Sequence, residues 1–333
     1  MKIKTKILIV LDVLAIICLF LIYGPITYFK DTLITTAMTT MSHQYLAKVF
    51  YSESMIEEVL EKNKVIDSGK SSDTSHIVFS SNQDRVYTSD YEREILEREK
   101  DAKYKIIKLS GNGYQGYLVA IYDAKNISLA LPSTLGYRGE TLDVISKNNN
   151  AIVGINAGGF ADEGGVGTGG EVAGILIKDS KILNGIPNTY NSGIIGFNNE
   201  GVLMLSHKSA EEAIEDGMVD GIEFGPFLIV NGESSYITGN GGMGIHPRTA
   251  IAQRKDGIVL FLVIDGRQPG YSIGASISEV TKILLRYGAY NAANLDGGAS
   301  TTLTINGEIY NRPCGILNGS FYQRAIPNAW ILK

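Results

Sequence analysis

Cysteine, histidine and tryptophan are scarce in this chain: two, four and one, respectively, among 333 residues. Cys18 lies in an apolar run and Cys314 near the C-terminus, so a disulfide framework is excluded and the fold must be held by its core. No His/Cys/Asp array has zinc spacing, and neither a metal nor a cofactor is expected. Excess positive charge is also missing. Thirty Lys and Arg stand against 35 Asp and Glu, leaving a net charge of −5, so no basic stripe is available for nucleic acid. The 38 glycines follow no fixed period, which excludes collagen-like and repeat architectures. Their densest cluster, residues 164–170, lacks the lysine and following helix of a phosphate-binding loop.

What is present starts with an apolar run over residues 7–29, preceded by Lys2, Lys4 and Lys6. Its length suffices to cross a bilayer, and the lysines place the N-terminus in the cytoplasm and all later residues outside. A cleaved signal peptide is the competing reading, though no small-residue cleavage site follows cleanly. The chain divides into a cytoplasmic tip and membrane anchor (1–30), a membrane-proximal helix and linker (31–100) and a strand-rich domain (101–333). Helical spacing is expected over 31–64, a flexible linker over 67–90 and a solvated charged helix over 91–103. Beyond these, short apolar runs predict strands at 104–109, 117–122, 152–155, 173–177, 194–197, 227–230, 249–252, 258–264 and 329–332. Between them a helix is expected over 277–287, its start marked by Ser276 and Glu279 at capping-box spacing. The fold class is α+β: a mixed, strand-rich sheet core flanked by a few helices, after one transmembrane helix.

Polar residues concentrate in one stretch, Asn291-Ala292-Ala293-Asn294-Leu295-Asp296-Gly297-Gly298-Ala299-Ser300-Thr301-Thr302. A carboxylate at a strand end can move protons, and glycines let a ligand approach the backbone. An ordinary polar turn would look the same. Further blocks are Ile155-Asn156-Ala157-Gly158-Gly159-Phe160, Gly244-Ile245-His246-Pro247-Arg248-Thr249-Ala250-Ile251-Ala252, Val259-Leu260-Phe261-Leu262-Val263-Ile264-Asp265-Gly266-Arg267, Ser272-Ile273-Gly274-Ala275 and residues 324–328. Together these blocks, spread over residues 100–333, resemble the phosphodiester glycosidase family. The resemblance implies hydrolysis of a sugar 1-phosphodiester. Ala299 departs from it, standing where the family more often has a third glycine.

Such a reaction releases a phosphomonoester through an oxocarbenium-like transition state, and needs cations for the phosphate and carboxylates near the anomeric carbon. Asp265 and Asp296, each ending an apolar run, are the expected acid/base pair. Arg248 and Arg267 are expected to grip phosphate as planar forks, with Arg324 as a third cation. An Arg267–Asp265 ion pair is the structural alternative. Asn156 and Asn294 would bind sugar hydroxyls or water, Ser300 and Thr301 the phosphate, and Gly297 and Gly298 would admit the ligand. His246, before proline, is expected to be a loop residue. The expected function is that of a membrane-anchored extracellular hydrolase of glycosyl-phosphate linkages in a surface polysaccharide or related glycan. Two alternatives stay open: a non-catalytic glycan-phosphate binding or exopolysaccharide assembly protein, and a phosphodiesterase that breaks phosphorus–oxygen bonds.

Overall fold

The computed structural model describes residues 3–40, 43–79, 87–161, 167–188, 192–317 and 320–333. Its centre is a seven-stranded sheet in the order Glu233–Ser234, Phe227–Val230, Ala289–Asn294, Arg248–Arg254, Val259–Ile264, Tyr114–Ile121, Tyr104–Gly111. Neighbouring strands run antiparallel. Because successive side chains alternate faces, Ile251, Phe261 and Val263 join one apolar cluster while Ala250, Leu260 and Leu262 join another. Both faces are therefore covered, which explains why Val259–Ile264 is apolar at every position.

The first cluster is shared with two five-stranded sheets. One is built around Met218–Glu223 and Ile194–Asn198, the other around Val153–Asn156 and Ala329–Leu332. Phe197 and Trp330 meet edge-on there at 5.2 Å. Helices α1 (Ile3–Tyr23), α2 (Thr27–Met38), α3 (Tyr45–Phe50) and α4 (Glu53–Lys62) form the N-terminal part, followed by α5 (Asp90–Leu96), α6 (Leu142–Asn148), α7 (Ala210–Glu215) and α8 (Ile277–Arg286). The expected capping box at α8 is present in full: the Ser276 hydroxyl accepts from Glu279 N–H, and the Glu279 carboxylate accepts from Ser276 N–H. Ile277, Val280, Ile283 and Leu284 bury the inner face of α8 against the second cluster, each worth roughly 1.5–3 kcal/mol of transfer free energy.

Three expectations need revision. The helical stretch at 31–64 is broken into three pieces, because Thr39 and Thr40 turn their hydroxyls back onto the Thr35 and Ala37 carbonyls and Ser52 caps α4; such local bonds compete with helix continuation. Residues 67–79 do not form a free linker: Ser72 N–H donates to the Leu205 carbonyl and Val78 N–H to the Lys255 carbonyl, at 2.8 Å each. Residues 80–86 of that expected linker lie outside the described residues, and its end leads into α5, with Ser89 as the cap and Asp90 as the first helical residue. The charged run after Tyr91 is not a solvated helix over its whole length: α5 ends at Leu96, and its Ile95 is fully buried.

Helices α2 to α4 pack together through Ile34, Ala47, Ile56 and Val59 and dock on the loop 239–246. Asn240 donates to Thr35 Oγ1 at 2.8 Å, and Ile245 N–H donates to Thr36 Oγ1 at 3.1 Å. Gly244 sits at φ +60°, where a Cβ would lie 2.4 Å from Thr36 Cα. Gly244→Ala is therefore expected to lower stability by about 1–3 kcal/mol and to loosen this docking. Thermal unfolding together with limited proteolysis between Met38 and Lys64 checks both effects; an unchanged melting temperature would mean that the docked arrangement does not persist in solution.

Candidate functional site

Sheet register decides where the chemistry-bearing residues meet. Arg248 pairs with Ile264 on one side of the central strand, and Ala250 pairs with Asn294 on the other. Asp265 and Asp296 thus leave their strands at the same end of the sheet, flanking the residue at which Arg248–Arg254 begins. Both following glycines close against Pro247 there. A Cβ on Gly266 would lie 2.7 Å from Pro247 N, and one on Gly297 would lie 2.8 Å from Pro247 O.

Asn156 locks the Asp296 loop from beneath. Its Nδ2 donates to the Asp296 carbonyl at 2.6 Å, while its Oδ1 accepts from Thr249 Oγ1 at 2.8 Å and Thr302 N–H at 3.1 Å. Asp296 N–H completes the link by donating to the Ala157 carbonyl at 3.0 Å. With its side chain fully buried, Asn156 holds the loop in this structure and does not face solvent. Asp296 itself is half-buried at the loop's outer edge.

Asp265 is a buried hub. Oδ1 accepts from Asn311 Nδ2 at 2.8 Å and Arg312 N–H at 3.0 Å, and Oδ2 accepts from the Tyr271 hydroxyl at 2.9 Å. Burial raises the Asp265 carboxyl above the usual carboxylate range, and those three hydrogen bonds pull it partly back. Tyr271, half-exposed beneath the Arg312 guanidinium, is also raised, chiefly by desolvation and by the Asp265 charge. It therefore keeps its proton and can donate it.

The two arginines have separated roles. Arg248 is buried; its Nε donates to the Ala275 carbonyl at 3.0 Å and its Nη2 to the carbonyls of Met243 and Gly244 at 2.6 and 2.7 Å. Desolvation and the nearby Arg267 lower it to about 9, still protonated at neutral pH. Arg267 is exposed at φ +58°, a conformation that L-residues rarely adopt. Its guanidinium lies beside Gly298, where a Cβ would be 3.1 Å from Nη2, and also contacts Cys314. Arg267 Nη2 donates to His246 Nδ1 at 3.2 Å. Since Nδ1 must then accept, Nε2 carries the proton and donates to the Thr36 carbonyl at 3.1 Å, with Thr39 Oγ1 at 2.8 Å. Burial and two neighbouring arginines depress His246 to about 3. The alternative Arg267–Asp265 pair does not form: Asp265 turns to Asn311, Arg312 and Tyr271.

Asn294 donates from Nδ2 to the Gly225 carbonyl at 2.9 Å, whereas its Oδ1 and Thr301 Oγ1 are buried with no protein partner. Ser300 is buried in the short turn after Gly297. Arg324 stacks over the Phe160 ring at 4.6 Å, on the loop that follows Asn156. Tyr271, Asn311 and the Thr36–Thr39 pair carry no local motif, so sequence reasoning passed over them; only the Tyr271 position, six residues beyond Asp265, offered any signal. Two open grooves, about 720 Å³ beside Arg254 and Tyr290 and about 510 Å³ beside Leu176 and Ile186, include none of the residues above. Groove size is a weaker guide here than the convergence of charged and polar groups.

The sequence profile of the phosphodiester glycosidases matches residues 149–333. The chain belongs to the phosphodiester glycosidase family. It is 28% identical over 180 residues to the SPbeta prophage-derived uncharacterized protein YomE of Bacillus subtilis strain 168, covering 52% of this chain and 27% of that one. It is 27% identical over 193 residues to the Bos taurus N-acetylglucosamine-1-phosphodiester alpha-N-acetylglucosaminidase, covering 53% and 35%. The matches thus span about a third or less of these relatives. In fold, the chain is similar to the zebrafish N-acetylglucosamine-1-phosphodiester alpha-N-acetylglucosaminidase catalytic domain auto-inhibited by pro-peptide, with a TM-score of 0.57 and 22% identity over 71% of this chain and 85% of that one.

His246 gives a pH signature. Its folded-state value, about 3, lies below the ordinary 6.5, so in the window between them the unfolded chain binds a proton that the folded chain does not. Its contribution is complete above about 6.5 and is lost as pH falls toward 3. Replacing His246 with Asn should flatten the pH dependence of the denaturation midpoint in that window. Equal acid sensitivity of the two proteins would show that His246 is not held neutral.

Proposed function

We propose that this family member is a membrane-anchored hydrolase that cleaves sugar 1-phosphodiesters outside the cytoplasm, in a surface polysaccharide or related glycan. The observation carrying the reading is the juxtaposition, at one sheet end, of the exposed Arg267 guanidinium, the Gly297–Gly298 turn and the half-buried Asp296. Arg267 and the open glycine side of the turn receive the phosphate; Asp296 handles protons at the anomeric carbon and water. Asp265, with its carboxyl raised by burial, acts through the Tyr271 hydroxyl. Arg248 braces the 243–248 loop beneath them. Thr301 Oγ1 and Asn294 Oδ1 supply hydrogen-bonding capacity the protein does not use. The cation and carboxylates together favour catalysis over binding alone, which needs no proton-transfer group.

For the membrane part, α1 is 21 residues long with a mean hydropathy of 2.7 in its most apolar stretch, and no residue of it is fully buried. Lys2, Lys4 and Lys6 precede or open it, which supports a cytoplasmic N-terminus.

Turnover of a UDP-sugar or a sugar phosphodiester in oxygen-18 water tests the reaction: label in the sugar supports carbon–oxygen cleavage, whereas label in the phosphate overturns it. Asp296→Asn should slow turnover by ~10²- to 10⁴-fold with an unchanged melting temperature; near-full activity would remove Asp296 from the mechanism. The two arginines should part company. Arg267→Lys is expected to impair turnover while stability holds, because an ammonium cannot reproduce the paired donors. Arg248→Lys should lower the melting temperature by leaving buried carbonyls without donors. Kinetics and thermal unfolding of the same preparations check this pair.

A further inference from the structure

Large apolar side chains lie exposed where α1 meets the folded body. Tyr28 is 63% exposed and Phe29 43%, at the start of α2; Val49 is 70% exposed and Phe50 37%, at the end of α3. Sequence separates these pairs by twenty residues, but both lie on helices that pack together and stay tied to the end of α1. The Tyr51 hydroxyl donates to the Ile22 carbonyl at 2.9 Å, its ring meets Tyr23 edge-on at 6.2 Å, and Ile22 packs on the cluster of Ile34 and Tyr51. The end of α3 is thus tied to the last turn of α1, and only residues 24–26 separate that turn from α2. Lys30 follows Phe29 and Lys48 precedes Val49 in the chain. A soluble surface would leave this apolar rim facing water; aromatic rings flanked by lysines directly after an apolar span suit the membrane–water interface.

We propose that this rim, formed by the start of α2 and the end of α3, lies in the interfacial layer of a lipid bilayer, as a second membrane contact beside α1. The proposal rests on the reading of α1 as an anchor. Its occupant is the bilayer because the rim is continuous with the exit point of α1. The position also fixes the site: Thr36, which accepts from His246 Nε2, is nine residues into α2. At about 1.5 Å per helical residue, with up to about 3.5 Å for each step between the helices, His246 stays within roughly 30 Å of the end of α1. The His246–Arg267 end of the sheet is held close to the membrane by packed helices in place of a loose stalk.

Fluorescence quenching in lipid nanodiscs tests this with the full chain, carrying Cys18→Ser and Cys314→Ser and one introduced cysteine bearing an environment-sensitive dye. The dye at Val49 should be quenched by nitroxide lipids labelled near the headgroup and protected from aqueous iodide. A dye at Leu183, 51% exposed on the edge strand Lys181–Asn184 of a separate sheet, should show the reverse. Iodide quenching at Val49 equal to that at Leu183, in protein embedded in the discs, would overturn the interfacial contact and leave the anchor standing. Failure to enter the discs at all would overturn the anchor, and the contact with it. A second dye position at Phe50 guards against a local effect of the label. None of these readouts requires turnover, so their outcome is independent of the glycosidase reading.

Discussion

The buried amide of Asn156 is the constraint on which the site depends. One side chain joins three segments that are remote in sequence: Nδ2 holds the Asp296 carbonyl, and Oδ1 holds Thr249 and Thr302. With no solvent access to exchange these bonds for water, each partner's position follows from the others. The strand Arg248–Arg254, lying between the two strands that deliver Asp265 and Asp296, supplies the second fixed reference. Pro247, packed by Gly266 and Gly297, leaves no room for side chains on the turns that carry the carboxylates.

Electrostatics at this end turns on an uncharged ring placed beside two cations. Arg267 lies close enough to Arg248 to help lower its pKa, and the group beside both is an imidazole kept neutral by burial. Neutral His246 accepts from one cation while its other nitrogen donates to the helical arm. A protonated ring could not accept from Arg267. The orientation of the exposed guanidinium thus depends on a proton position that is itself set by Thr36 and Thr39, residues from a part of the chain outside the family-matched region.

Much of the strand core was legible because its signals are local. Ile277–Arg286 announced itself through its capping box and one-sided apolar spacing, and the expected strands at 227–230 and 329–332 coincide with the observed ones. Met218–Glu223 escaped notice because its apolar positions are interrupted by Asp220 and Gly221, and the partners of Asp220, Leu129 N–H and Lys178, are distant in sequence; Leu203–Ser206 is a run of only four residues. The proposed site was visible as residue types at strand ends, but not as roles. Whether Arg248 points at ligand or at carbonyls depends on the path of the 243–246 loop, which no periodicity encodes. The docking of α2 to α4 was equally hidden: glycines at 239, 242 and 244 give no sign that Asn63 and Thr36 fill the space beside them.

The central sheet carries a further consequence for how the family-matched region can exist. Residues 149–333 contain Val259–Ile264 but not its partner Tyr114–Ile121, which pairs with it along its whole length. Cut at that boundary, the fragment would present Val259-Leu260-Phe261-Leu262-Val263-Ile264 as a bare sheet edge, uncharged and without proline. Such an edge is a template for pairing with another copy of itself. The hairpin formed by Tyr104–Gly111 and Tyr114–Ile121 therefore does more than enlarge the sheet: it moves the exposed edge outward to a strand bearing Lys105 and Lys108, where like-charge repulsion discourages edge-to-edge assembly.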